Sequence, residues 1–117
     1  MPLRVYTSQY GYSGTDRLDI TVKSSDGVFA PSWELVHGIK ERRITPEQYT
    51  ERYLALLRTS YRQKHQKWEE LLQQSRVTLV CFCSHGMFCH RLILADVLTK
   101  LGAVYMGEVN RSGQLIG

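Results

Sequence analysis

A chain of 117 residues, 43% hydrophobic and 22% charged, has the size and composition of one globular domain rather than of a disordered, collagenous or membrane-embedded chain. The formal charge of +4 and a pI near 9.1 favour anionic partners: phosphates, nucleotides or nucleic acid. No apolar run approaches the roughly 18 residues of a membrane span, and the N-terminus lacks a signal-peptide core, so the expected setting is cytoplasmic, without a membrane partner.

Taken in order, Leu3 to Thr7 reads as a first strand. The polar segment from Ser8 to Thr15 carries two glycines and two tyrosines. It is either a connector or a substrate loop in which Tyr10 or Tyr12 stacks on a ring; it matches no Walker A or dinucleotide fingerprint. Arg17 to Lys23 alternates apolar Leu18, Ile20 and Val22 with Arg17, Asp19, Thr21 and Lys23, the period of a half-buried strand. Its polar side is either a solvent-facing edge or part of a site. Ser32 is placed to cap a short helix with Trp33, Val36 and Ile39 facing the core. Thr45-Pro-Glu-Gln48 is a capping box with proline at the first helical position. The helical pattern that follows reaches Gln74, which would make a rod about 43 Å long. That exceeds what so small a domain accommodates, so a bend or break is expected between Thr59 and Gln63, letting both Tyr53 and Trp68 reach the core. The opposite side carries Arg52, Arg58, Arg62, Lys64 and Lys67, either a solvated face or a phosphate-backbone contact.

The chain is organised around residues 77–102. Val77 to Cys83 is apolar and β-branched, as expected of a central strand covered on both sides. Ser84, His85 and Gly86 make a tight turn, and a helix with Leu94, Val97, Leu98 and Leu101 on one side ends at Gly102. All three cysteines, with His90 and Arg91, fall between Cys81 and Arg91. An odd, clustered set is not a disulfide framework, and the cysteines are expected to be reduced thiols. A strand end facing a helix start is a ready anion site. There Cys83 is the candidate nucleophile, its thiol acidified by nearby cations. A cysteine-phosphatase loop is disfavoured, because Arg91 lies two positions too far from Cys83. Ala103 to Met106 is a last strand, Glu108 stands just past its end, and Ser112 to Gly117 reads as a loose tail.

Cys81-x-Cys83 with Phe88-Cys-His-Arg91, together with Arg17 to Ser24, Phe29 to Trp33 and Tyr105-x-Gly-Glu108, resembles the family catalogued as domain of unknown function 488, in its small members from phages and bacteria. The resemblance covers most of the chain. It implies an α/β sheet with helices packed on it, which the chain length makes a single domain over residues 1–117, and a bacterial host cell is the setting if the chain is phage-encoded. Larger members of that family place Asp-Val-Arg at the end of an early strand, facing the cysteine loop. Here Asp19-Ile20-Thr21 keeps the acid and lacks the arginine, with Lys23 as a possible substitute.

The expected fold is therefore a small mixed or parallel sheet with helices packed on it. The expected site uses Cys83, Asp19, His90 and Glu108 for chemistry and Arg91, Lys23, Arg17, Ser84, Gly86 and Tyr12 for a phosphate-bearing ligand, a nucleotide or nucleic acid. Such a site suits a thiol-dependent hydrolase or transferase, and no cofactor is required. Two other readings stay open. One is a zinc site from Cys81, Cys83, Cys89 and His90, or from Cys83, His85, Cys89 and His90. The other is a module without chemistry that binds nucleic acid or a partner protein through the basic helix.

Overall fold

The computed structural model describes residues 2–23, 25–82 and 90–116. The elements run β1 (Arg4–Gln9), β2 (Arg17–Asp19), α1 (Trp33–Lys40), α2 (Pro46–Gln63), α3 (His65–Leu72), β3 (Arg76–Cys81), α4 (His90–Lys100) and β4 (Val104–Glu108). The strands form one parallel sheet in the order β2-β3-β1-β4. β3 is interior, as its continuous apolar run implies, and Val77 to Cys81 are all buried. It shares the middle of the sheet with β1.

One side of the sheet carries the main core. Val5, Val77, Leu79, Cys81 and Ile20 pack there against Leu94 and Leu98 of α4, Tyr53 and Leu57 of α2, and Trp68 of α3. On the other side, Val80 meets Tyr12 and Val109 in a much smaller apolar group.

The long helical pattern splits, one residue later than expected. Thr45 and Gln48 form the capping box that starts α2. Lys64, at φ −127° and ψ 37°, separates α2 from α3. Ser60 explains the turn: its hydroxyl donates to the carbonyl of Val28 at 2.6 Å and accepts from Trp68 Nε1 at 3.1 Å. Tyr53 and Trp68 are both buried, at 0% and 1% exposure.

Three local expectations are corrected. The strand expected over Arg17 to Lys23 stops at Asp19, because Asp19 Oδ1 accepts from the backbone and hydroxyl of Thr21 at 2.8 and 2.7 Å and turns the chain. In α1 the buried positions are Leu35 and Gly38, while Trp33 is exposed and lies against His37. The tail is not loose up to Ile116: Val109 bridges Leu115, and Ile116 N donates to the carbonyl of Glu108 at 3.0 Å. Among the described residues, no helix is long and apolar enough to cross a membrane.

Candidate functional site

A parallel sheet sends all its strands toward one edge. Here β2 ends at Asp19, β3 at Cys81, β1 at Gln9 and β4 at Glu108, and open α/β sheets take their ligands beyond such carboxyl ends. Strand register therefore brings Asp19, Cys81 and Glu108 to a common edge, although up to 89 positions separate them in the chain. α4 adds His90 and Arg91 at its first two positions.

Arg91 and Glu108 form a buried ion pair, their side chains 2% and 8% exposed. Arg91 Nε donates to Oε1 at 3.2 Å and Nη2 to Oε2 at 3.0 Å, the two-pronged match of guanidinium to carboxylate. Nη1 donates to Cys81 Sγ at 3.1 Å. Thr7 donates its hydroxyl to Glu108 Oε1 at 2.5 Å and accepts from Tyr105 at 2.7 Å. A relay thus runs from the half-exposed Tyr105 through Thr7 to a carboxylate held by arginine. Glu108 and Cys81 between them engage all three side-chain nitrogens of Arg91.

His90 lies across the sheet. Its Nε2 donates to the carbonyl of Ile20 at 2.8 Å, the residue after Asp19, and its ring meets Tyr53 edge-on. Burial, with the Arg91 charge assisting, lowers its pKa to about 4, against the raising effects of the Ile20 bond and Asp19. The imidazole is therefore neutral near pH 7 and adds no positive charge to the edge there.

A second cluster stands on the opposite face. Tyr12 is buried and donates to Asp16 Oδ1 at 2.5 Å. Asp16 Oδ2 accepts from Thr78 at 2.6 Å and from Arg76 at 2.9 Å. Burial alone would raise the Asp16 pKa, but the bonds from Thr78, Tyr12 and Arg76 outweigh it and hold the carboxyl below its ordinary value. Burial and the Asp16 bond push the Tyr12 hydroxyl up. Arg17 donates to the carbonyls of Tyr12 and Tyr10 at 2.9 and 3.1 Å, and its guanidinium lies 4.5 Å from the Tyr10 ring centre. Lys23 is exposed. Phe82, 58% exposed, stacks on Tyr10.

Cys81 is disulfide-bonded, which corrects the expectation of reduced thiols for that residue. Three cysteines within nine positions keep a bonding partner close at hand, a local opportunity that the count alone does not reveal. Of the first zinc set, Cys81 and His90 are described, with His90 Nε2 bonded to the carbonyl of Ile20. Cys83, Ser84, His85, Gly86 and Cys89 lie outside the described residues, and with them the expected anion cradle. Among the described residues, no cluster of His, Cys, Asp and Glu has the makings of a metal site.

Sequence reasoning passed over Thr7, Tyr105, Asp16 and Phe82. Phe82 alone had a usable signal. Strand alternation puts it on the side away from Cys81, where a large apolar ring at a strand end needs an explanation.

A family model described as DUF488-N3a, the active DUF488-N3 subclade, matches residues 3–102. The chain belongs to this family. No curated protein and no solved structure matches it.

Proposed function

We propose that the protein binds a phosphate-bearing ligand, a nucleotide or nucleic acid, at the carboxyl edge of its sheet, and acts on it through Cys83 with Asp19, His90 and Glu108. The observation that carries this reading is the Arg91–Glu108 pair. A buried ion pair is weak evidence for stability, since well-packed apolar residues often serve as well or better. A fully hydrogen-bonded one at the ligand edge of a parallel sheet is better explained by a site. The family description, an active subclade, points the same way.

Cys83 follows β3 directly after Phe82 and, in the protein with its cysteines reduced, is the nucleophile in this reading. Glu108 is the acid or base, held by Arg91 and connected through Thr7 to Tyr105. Asp19 and neutral His90 form the opposite end, where Nε2–H fixed on Ile20 leaves Nδ1 as the ring's acceptor. Arg17, Lys23, Tyr12, Ser84 and Gly86 contact the ligand. The reaction class is thiol-dependent hydrolysis or group transfer, with no metal required.

Alkylation of Cys83 against pH tests this, after reduction and removal of the reductant, with mass spectrometry to locate the label. Cys83 is expected to label faster near neutral pH than an unstructured thiol, and inorganic phosphate is expected to slow it. Labelling at the unstructured rate, unaffected by phosphate, rejects the reading.

A second reading uses the helical surface. Arg52, Arg58, Arg62, Lys64 and Lys67 are all exposed, and among the described residues none of them has an ion-pair partner. Binding to duplex DNA that falls steeply with salt and survives loss of Cys83 would favour that module.

A further inference from the structure

Resting on the phosphate-ligand reading above, we infer that Phe82, stacked on Tyr10 beside Arg17, is the seat of an unpaired nucleobase in that ligand. Gln9 and Cys81 are the last residues in register between β1 and β3. Tyr10 and Phe82 are the next residue on each strand, so the two rings cap the middle of the sheet. The chain leaves β1 toward β2, on one side, and leaves β3 toward β4, on the other. The strand order thus reverses between β1 and β3, and that crevice is where open α/β sheets hold their ligands.

The two rings lie nearly parallel, 18° apart, with centres 4.1 Å apart. Stacking orients Phe82 while leaving it 58% exposed. The result is a pre-oriented, largely open ring rather than a core side chain. Two guanidinium groups lie by the Tyr10–Gly11 segment that carries its stacking partner. Arg17 is locked on the carbonyls of Tyr10 and Tyr12 and lies 4.5 Å from the Tyr10 ring centre. Arg111 lies against Gly11, where an added Cβ would come within 2.8 Å of Nε; the absent side chain admits it.

The nearby carboxylates are engaged within the fold: Asp16 by Tyr12, Thr78 and Arg76, and Asp19 by Thr21. An aromatic face beside cations suits a flat ring that carries negative charge close by, which is the chemistry of a nucleobase with its phosphate. A paired base inside a duplex has both faces taken by its neighbours. The ligand is therefore a free nucleotide or a single-stranded segment, which share this chemistry.

Calorimetric titration of the whole protein with inorganic phosphate, adenosine monophosphate, an eight-nucleotide thymidine strand and a duplex of equal length tests the assignment. The nucleotide, the strand or both should bind at least about tenfold tighter than phosphate, within what one stacked base contributes. Whichever of the two gains more identifies the source. Phe82→Ala should remove that gain while leaving phosphate binding unchanged, and Phe82→Trp should retain it. An unchanged melting temperature shows that the Ala variant is folded. If phosphate protects Cys83 but neither nucleotide nor strand binds more tightly than phosphate, the seat is wrong and the proposed function stands. Tight binding that Phe82→Ala leaves intact, or duplex bound as well as single strand, also overturns the seat. If neither phosphate nor any nucleotide binds, both readings fall.

Discussion

Among the described residues, each face of the sheet carries one ion pair, and the two are built differently. Under the helices, Arg91 and Glu108 are 2% and 8% exposed, and both oxygens of the carboxylate are taken by the one guanidinium. On the opposite face, Asp16 is 10% exposed, but its partner Arg76 is 40% exposed and leans over the Tyr6 ring. The first pair has exchanged water for protein on both partners, so each charge depends on the other. The second keeps a hydrated partner, so its loss is softened by solvent. Burial of both partners, more than distance, decides how much a pair matters: the shortest nitrogen–oxygen distance is 3.0 Å in the buried pair and 2.9 Å in the half-open one.

Removing one partner separates them most sharply. Arg91→Ala strands the Glu108 carboxylate and should cost about 3–5 kcal/mol of unfolding free energy in urea. Arg91→Met combined with Glu108→Leu should recover part of that loss, because no charge is left behind. A loss under about 1 kcal/mol for Arg91→Ala would mean that the pair is solvated after all.

The next largest effect comes from acid acting on His90, on the helix-covered face. His90 has a folded pKa near 4 against an ordinary 6.5, so between those values the unfolded chain binds the proton more readily. Stability is then fully present above about pH 6.5 and declines as pH falls toward 4, by roughly 3 kcal/mol in all. Melting temperature against pH should show this decline, and His90→Gln should flatten it. An unchanged curve in that variant would place the decline elsewhere.

The smallest effect belongs to the open pair. Asp16→Asn should cost about 1 kcal/mol, discounted for the exposure of Arg76. Because the folded pKa of Asp16 is depressed, its contribution is present above the ordinary carboxylate range and lost only as pH falls through the lower folded value. It should therefore fade in more acidic solution than the His90 contribution. A urea series from pH 7 down through the range below the ordinary carboxylate value would show the Asn variant and wild type converging as the pH falls.

What the sequence revealed about this architecture follows its periodicities. The apolar run at Val77, the capping box at Thr45 and the excessive helix length are local signals, and each led to a correct element. Alternation alone continues β2 to Lys23, while the Asp19 side chain ends it against Thr21. Helical spacing puts Trp33 toward the core, yet the buried residues of α1 are Leu35 and Gly38. The edge gathering Asp19, His90 and Glu108 could be anticipated from strand ends. The Arg91–Glu108 bond could not, because it depends on β4 lying beside β1 rather than beside β3.

The strand order also governs when the sheet can exist. β1 and β2, the first two strands made, do not touch each other; both depend on β3. The Arg4–Arg76 register joins residues about 70 positions apart. During synthesis, β1 and β2 must therefore wait unpaired until the chain has grown past Cys81, while α1, α2 and α3 are already free to form. Long-range closures of this kind slow folding and leave apolar strands open to other chains. A ribosome-bound chain ending before β3 should thus be sensitive to protease in β1 and β2, and one extending well beyond β4 should be resistant.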